Sequence, residues 1–139
     1  MKLVNPVNLI IINENEQILL CKRAANDEAQ ANAWSIPGGC AEEGECFEKA
    51  LQREIKEELG CNIKELNYFG SYYFQINKTK AARAVYFYGS ISKNIKLNHE
   101  LSEFNWFDLN DSEMLQLNLA FYQKKVIKDF VGSWSYKKN

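Results

Sequence analysis

Gly39-Cys40-Ala41-Glu42-Glu43-Gly44-Glu45-Cys46-Phe47-Glu48-Lys49-Ala50-Leu51-Gln52-Arg53-Glu54-Ile55-Lys56-Glu57-Glu58-Leu59-Gly60-Cys61 is the stretch that organises this chain. From Glu45 to Leu59 it holds strong helix formers and no Pro or Gly, which predicts a helix over residues 45–59. Gly60 stands where a helix commonly ends on a left-handed glycine. On a wheel of about 100° per residue, Phe47, Leu51, Ile55 and Leu59 form one arc that should face the core. Ala50, Glu54, Glu57 and Glu58 occupy the adjoining arc. Glu54 lies three residues before Glu57 and four before Glu58, spacings at which like charges destabilise a helix by roughly a few tenths of a kcal/mol per pair. The crowding also falls at the negative pole of the helix dipole, where stability alone favours Lys or Arg. A solvated acidic face is one reading of this arc. The other is a site for a hard divalent cation, Mg²⁺ or Mn²⁺, which turns the repulsion into attraction.

The flanking residues favour the second reading. Gly39 is followed by five residues and Glu45, then by seven and Arg53-Glu54-Ile55, then by Lys56, Glu57-Glu58, Leu59 and Gly60. This resembles the Nudix box, G-x5-E-x7-R-E-U-x-E-E-x-G-U with U a bulky apolar residue. Gly39, Glu45, Arg53, Glu54, Glu57, Glu58 and Gly60 fill every fixed position. Ile55 fits the first U, and Cys61 is a mild departure at the second that bears on packing rather than chemistry. The lead-in Trp34-Ser35-Ile36-Pro37-Gly38-Gly39 is also similar to that family's.

The resemblance implies an α/β/α sandwich, a mixed β-sheet flanked by helices, with the box as a loop–helix–loop on the sheet. It further implies an enzyme that hydrolyses a phosphoanhydride bond in a nucleoside diphosphate derivative with the help of a metal. Glu57 and Glu58 would be the main metal ligands, Glu54 a ligand or the base that activates water, and the Gly38 carbonyl a further ligand. Arg53 would orient the catalytic carboxylates, with Glu45 and Gly39 behind them. Glu100, in the stretch His99-Glu100-Leu101-Ser102-Glu103-Phe104-Asn105-Trp106, resembles the additional catalytic Glu of MutT-type members, with Glu103 as the runner-up. Arg23 and Arg83 are candidates for substrate phosphates, because a guanidinium suits bidentate phosphate contact. Asn118 stands where similar proteins open the final helix with a base-reading Asn, although Asn is also an ordinary helix cap.

The markers of other subfamilies are absent. The only prolines, Pro6 and Pro37, precede the box, whereas ADP-ribose hydrolases tend to carry one downstream. Tyr72 and Tyr73 come too early for the dinucleoside polyphosphate pattern. The expected activity is therefore that of a MutT-type enzyme converting a nucleoside triphosphate to its monophosphate and pyrophosphate. The alternatives are nucleotide-sugar or ADP-ribose hydrolysis, or a catalytically silent nucleotide-binding regulator, although silent domains usually lack one of the box carboxylates.

Around this stretch the chain reads as one ordinary domain over residues 1–139. Net charge is −1, from 17 basic and 18 acidic residues, so no basic field is available for a nucleic acid polymer. The most apolar stretch, residues 7–12, is far too short for a membrane span. Cys21, Cys40, Cys46 and Cys61 show no zinc spacing, and free thiols in the cytoplasm are expected, in a monomer or homodimer. Residues 7–12 and 17–21 read as a hairpin, and 63–76 and 81–91 as long strands. Residues 104–107 read as a short strand, and 117–131 as an amphipathic closing helix carrying Leu119, Tyr122, Val126 and Phe130. Tyr68, Phe69, Tyr72, Tyr73 and Phe74 read mostly as sheet core, and Trp34 and Trp106 as structural.

Overall fold

The computed structural model describes residues 1–138, with side chains described as far as Trp134. The strands are β1 (Lys2–Val4), β2 (Pro6–Ile11), β3 (Gln17–Arg23), β4 (Trp34–Ser35), β5 (Gly38–Cys40), β6 (Ile63–Asn77), β7 (Lys80–Ile91) and β8 (Leu101–Asp108). Helix α1 spans Phe47–Leu59, a 3-10 turn spans Ser112–Gln116, and helix α2 spans Gln123–Lys138.

A five-stranded mixed sheet carries the order β1-β7-β2-β5, with β6 paired antiparallel to β7. β1 and β2 both run parallel to β7. A three-stranded antiparallel sheet, β4-β3-β8, stands beside it. The period-2 alternation of strands divides the interior into two cores. Val7, Leu9, Ile11, Val85 and Phe87 pack with Leu51, Ile55 and Leu59 of α1. Ile10, Ala84 and Tyr86 pack with Val126, Ile127 and Phe130 of α2. The mixed sheet is thus flanked by a helix on each face.

Helix α1 forms where the periodicity places it, starting two residues later than the expected 45 and capped at its end by Gly60 in the left-handed region, φ 66°. Leu51, Ile55 and Leu59 are fully buried. Burial of that kind contributes about 1.5–3 kcal/mol per side chain, which outweighs the repulsion among the glutamates. Cys61 is buried beside them and fills the apolar position that the box requires there.

Two expectations are corrected. Residues 7–12 and 17–21 do not zip into a hairpin: only an isolated bridge, Ile12 to Ile18, joins them, because β2 takes its partners from β5 and β7 and β3 from β4 and β8. The closing helix starts at Gln123 rather than 117. The backbone of residues 118–120 is instead committed to β4, with Trp34 N–H donating to Asn118 O at 2.8 Å and Ala120 N–H to Trp34 O at 2.8 Å. The aromatic series on β6 is mostly core, as expected: Phe69, Tyr72 and Phe74 pack against the α2 core, while Tyr68 and Tyr73 are exposed.

No described helix is long and apolar enough to cross a membrane. All four cysteines are free.

Candidate active site

β5 lies antiparallel to β2, with Gly38 opposite Asn8 and Gly39 opposite Val7. This brings the Gly38-Gly39 backbone under the acidic arc of α1. Arg53 is the hub of the arc. Its Nε and Nη2 donate to the two oxygens of Glu45, both at 2.9 Å, and its Nη1 donates to Glu54 Oε1 at 2.9 Å. A further bond runs from Nη2 to the Cys40 carbonyl at 3.3 Å. The bidentate fork ties the start of the helix loop to its middle and aims the Glu54 carboxyl toward β5. Hydrogen bonding from Arg53 holds the Glu45 carboxyl down at about 2.

Gly39 makes room for Glu54. A Cβ there would lie 2.6 Å from each Glu54 carboxylate oxygen. Gly39→Ala should therefore leave the fold intact, because a side-chain terminus can swing aside, yet move Glu54 off its position. Displacement of about an ångström in a catalytic group can cost on the order of 10²-fold in rate, and steady-state kinetics beside a thermal melt would measure it. An unchanged rate would show that Glu54 need not sit against β5.

Glu58 is only 6% exposed. Its Oε1 accepts the Gly38 N–H at 3.0 Å. Burial, reinforced by the charges of Glu54 and Glu100, pushes its carboxyl up to about 8, against the lowering effects of the Gly38 bond and Arg23. Burial also raises Glu54, with Glu57 and Glu100 adding to the rise and Arg53 opposing it. Glu57 is half-exposed, and its Oε2 stands 3.6 Å from Arg53 Nη1.

The loop after β7 carries Glu100 to this cluster. Lys96 N–H and Asn98 N–H donate to Leu59 O and Glu58 O, stitching the loop onto the end of α1. Glu100 N–H donates to Asn98 Oδ1 at 3.0 Å, and Glu100 O accepts from Ala24 N–H at 3.0 Å. Glu103 instead lies on β8 opposite Lys22, exposed. Arg23, at the end of β3, is close enough to act on Glu58 and is itself clamped by Asp27 at 2.8 Å. Arg83 is exposed on β7 across from Tyr73, and it is not among the charges acting on Glu54 and Glu58.

Gly38 meets Glu58 through its N–H. Two sequence expectations change here. Asn118 is exposed and does not open a helix, because its segment pairs with β4. The three carboxylates of the arc do not meet at one point: among the described residues no group of three or more His, Cys, Asp or Glu side chains is spaced to hold an ion. Like charges part, and each acid takes the nearest donor, Arg53 for Glu54 and Gly38 for Glu58. The donor set nevertheless suits a hard cation. It is all oxygen, and Glu58 is a buried carboxylate with one backbone donor and two acidic neighbours, a charge that a cation would compensate. A surface hollow of about 830 Å³ lies elsewhere, lined by Lys64, Tyr88, Lys93, Phe104 and Trp106 among others, and includes none of these acids.

Two partners escape a reading of the sequence alone. Asp27 is one, an i,i+4 neighbour of Arg23 hidden in a loop. Gln123 is the other, buried, with its Oε1 accepting Ile36 N–H at 2.7 Å and so fixing the strand that leads into Gly38. No local signal marks it, since the contact spans most of the chain.

A profile of the NUDIX domain matches residues 2–130. The chain belongs to the Nudix family. It is 33% identical over 123 residues to an ADP-ribose pyrophosphatase of Methanocaldococcus jannaschii, covering 87% of this chain and 69% of that one. It is 29% identical over 133 residues to the nucleoside triphosphatase NudI of Enterobacter sp. (strain 638), covering 84% of this chain and 94% of that one. Its fold is similar to that of the MutT protein from Methanosarcina mazei Go1, with a TM-score of 0.82, 27% identity and 93% of each chain covered. The protein is thus a MutT-type Nudix pyrophosphohydrolase, an enzyme acting on small nucleotide substrates. Nudix hydrolases generally work with divalent metal ions.

Proposed function

We propose that this Nudix hydrolase cleaves a nucleoside triphosphate to the monophosphate and pyrophosphate, with Mg²⁺ or Mn²⁺ held by Glu54, Glu57, Glu58 and the Gly38 backbone. The observation that carries the reading is the buried, charge-starved Glu58 beside Glu54 and Glu100. A bound metal supplies charge neutralisation at the phosphate oxygens and a more acidic water. This chain's residues supply the rest. Arg53 acts through Glu54 as a positioning residue, fixing the carboxyl whose raised proton affinity suits a general base. Glu100 adds a second carboxylate from the opposite loop. Arg23, pre-set by Asp27, offers a guanidinium to the phosphates, and Arg83 and Asn118 are the more distant candidates for substrate contact. In such a substitution at phosphorus, positioning and charge neutralisation provide most of the rate. The four free thiols support a cytoplasmic setting.

The relative from Methanocaldococcus jannaschii supports a second reading, ADP-ribose as substrate. A nucleotide panel with Mg²⁺ in ¹⁸O-labelled water separates the two. We expect pyrophosphate release from triphosphates, with label confined to one product and reporting the phosphorus attacked. Orthophosphate release, or activity confined to ADP-ribose or a nucleotide sugar, would replace the triphosphate reading.

A further inference from the structure

Asn8 is the one polar residue inside the apolar run that forms β2, Val7-Asn8-Leu9-Ile10-Ile11. It is 7% exposed. Strand alternation puts Val7, Leu9 and Ile11 with α1 and Ile10 with α2, so Asn8 lies on the α2 face. Its neighbours across the sheet are Gly38 on one side and Tyr86 on the other. Its carboxamide has no hydrogen-bond partner among the described residues, and no side-chain nitrogen or oxygen of theirs is fully sealed without one. The amide therefore opens to solvent through a narrow gap. A carboxamide in that state costs free energy that a Val or Ile at the same place would not.

Gly38 keeps the gap open. A Cβ on Gly38 would stand 2.7 Å from Asn8 Oδ1 and would press on the Val7 carbonyl and the Asn8 Cα. The N–H of the same glycine holds the Glu58 carboxylate. A single residue's backbone thus separates the open carboxamide from the acidic cluster.

We propose that Asn8 is a specificity-determining residue that hydrogen-bonds the polar edge of the substrate's nucleobase. The proposal rests on the nucleotide-hydrolase reading above. The chemistry selects the base rather than a phosphate. Phosphates call for cations and donors, which lie on the acidic-helix side, whereas a neutral carboxamide offers one acceptor beside donors. That pairing matches a base edge, as Asn and Gln match adenine. Oδ1 faces Gly38, so the donor and acceptor have a set order. A set order separates an amino base from its keto counterpart, in which donor and acceptor change places.

The test uses pairs that differ only in that swap, ATP against ITP and CTP against UTP. Wild-type kcat/KM should favour one member of each pair by about ten-fold or more, and Asn8→Leu should bring the ratios close to one. Titration calorimetry with AMP and IMP, without metal, should show the same loss of preference. Asn8→Ser covers the case in which the leucine variant fails to fold. Ratios unchanged in a folded variant, or a change in melting temperature alone, would mean that the amide serves only a fixed water and would overturn the proposal. Equal wild-type rates within both pairs would overturn it as well. A wild-type enzyme inactive on every nucleotide would instead remove the nucleotide reading, and the proposal with it.

Discussion

Glu57→Gln and Glu58→Gln should each abolish measurable turnover while the protein stays folded. Neither carboxylate serves the core: Glu57 is half-exposed, and Glu58 is a buried acid held by one backbone N–H. Removing Glu58's charge also removes a burden on the metal-free protein. Its carboxyl is raised to about 8 in the fold from an unfolded value of about 4.3. Between those values the native state binds more protons than the unfolded chain, so this group's contribution to stability is fully present below about 4.3 and declines as pH rises toward 8. Glu45 has the opposite shift, but it titrates well below that window and stays ionised throughout it. Metal-free wild-type protein should therefore melt at a lower temperature at pH 8 than at pH 5, and Glu58→Gln should flatten that component. A change of about 1 kcal/mol corresponds to about 4 °C in a domain of this size. Mg²⁺ at neutral pH should raise the wild-type melting temperature by mass action and leave that of Glu58→Gln nearly unmoved. Wild-type rates in either glutamine variant would sink the assignment of the acidic arc.

Glu100→Gln carries the next largest expectation, a loss of about 10²–10⁴ in rate, the span of a positioned acid–base group. Glu103→Gln should cost little. The contrast follows from placement. Glu100 is secured by Asn98 and Ala24 and acts electrostatically on Glu54 and Glu58, whereas Glu103 lies on β8 opposite Lys22. A second readout separates this role from a structural one. Glu100 raises the proton affinity of both acids, so its neutralisation lowers their pKa, and the acidic limb of the pH–rate profile should move to lower pH. A Glu100→Gln enzyme with full rate and an unmoved acidic limb would exclude Glu100 from the chemistry.

Local order made much of this protein readable as text. The i,i+3 and i,i+4 spacings on α1, its terminal Gly60 and the long β6–β7 hairpin all depend on residues close in sequence, and they appear in the fold within one or two positions. The box residues are likewise set by spacing along one helix and the loop before it, so Arg53, Glu54 and Glu58 come together with Gly38 and Gly39. Non-local pairing decided the rest. β2 and β3 look like a hairpin by pattern, but β7 offers β2 a parallel partner far along the chain, and the two strands part into different sheets. Residues 117–122 have helical periodicity, yet the Asn118 carbonyl and the Ala120 N–H are taken by Trp34 on β4. Glu100 was already preferred to Glu103 in the sequence, and the stitching of Lys96 and Asn98 to the end of α1 adds the anchorage of its loop. Asn8 was visible in the sequence as a polar residue in an apolar run, but its meaning depended on Gly38 and Tyr86 arriving on either side. Helical spacing is a property of the chain's own dihedrals and is written in its order. Which strand meets which, and which polar group is left facing a gap, depends on burying both sheet faces at once, and that is settled only when the whole chain packs.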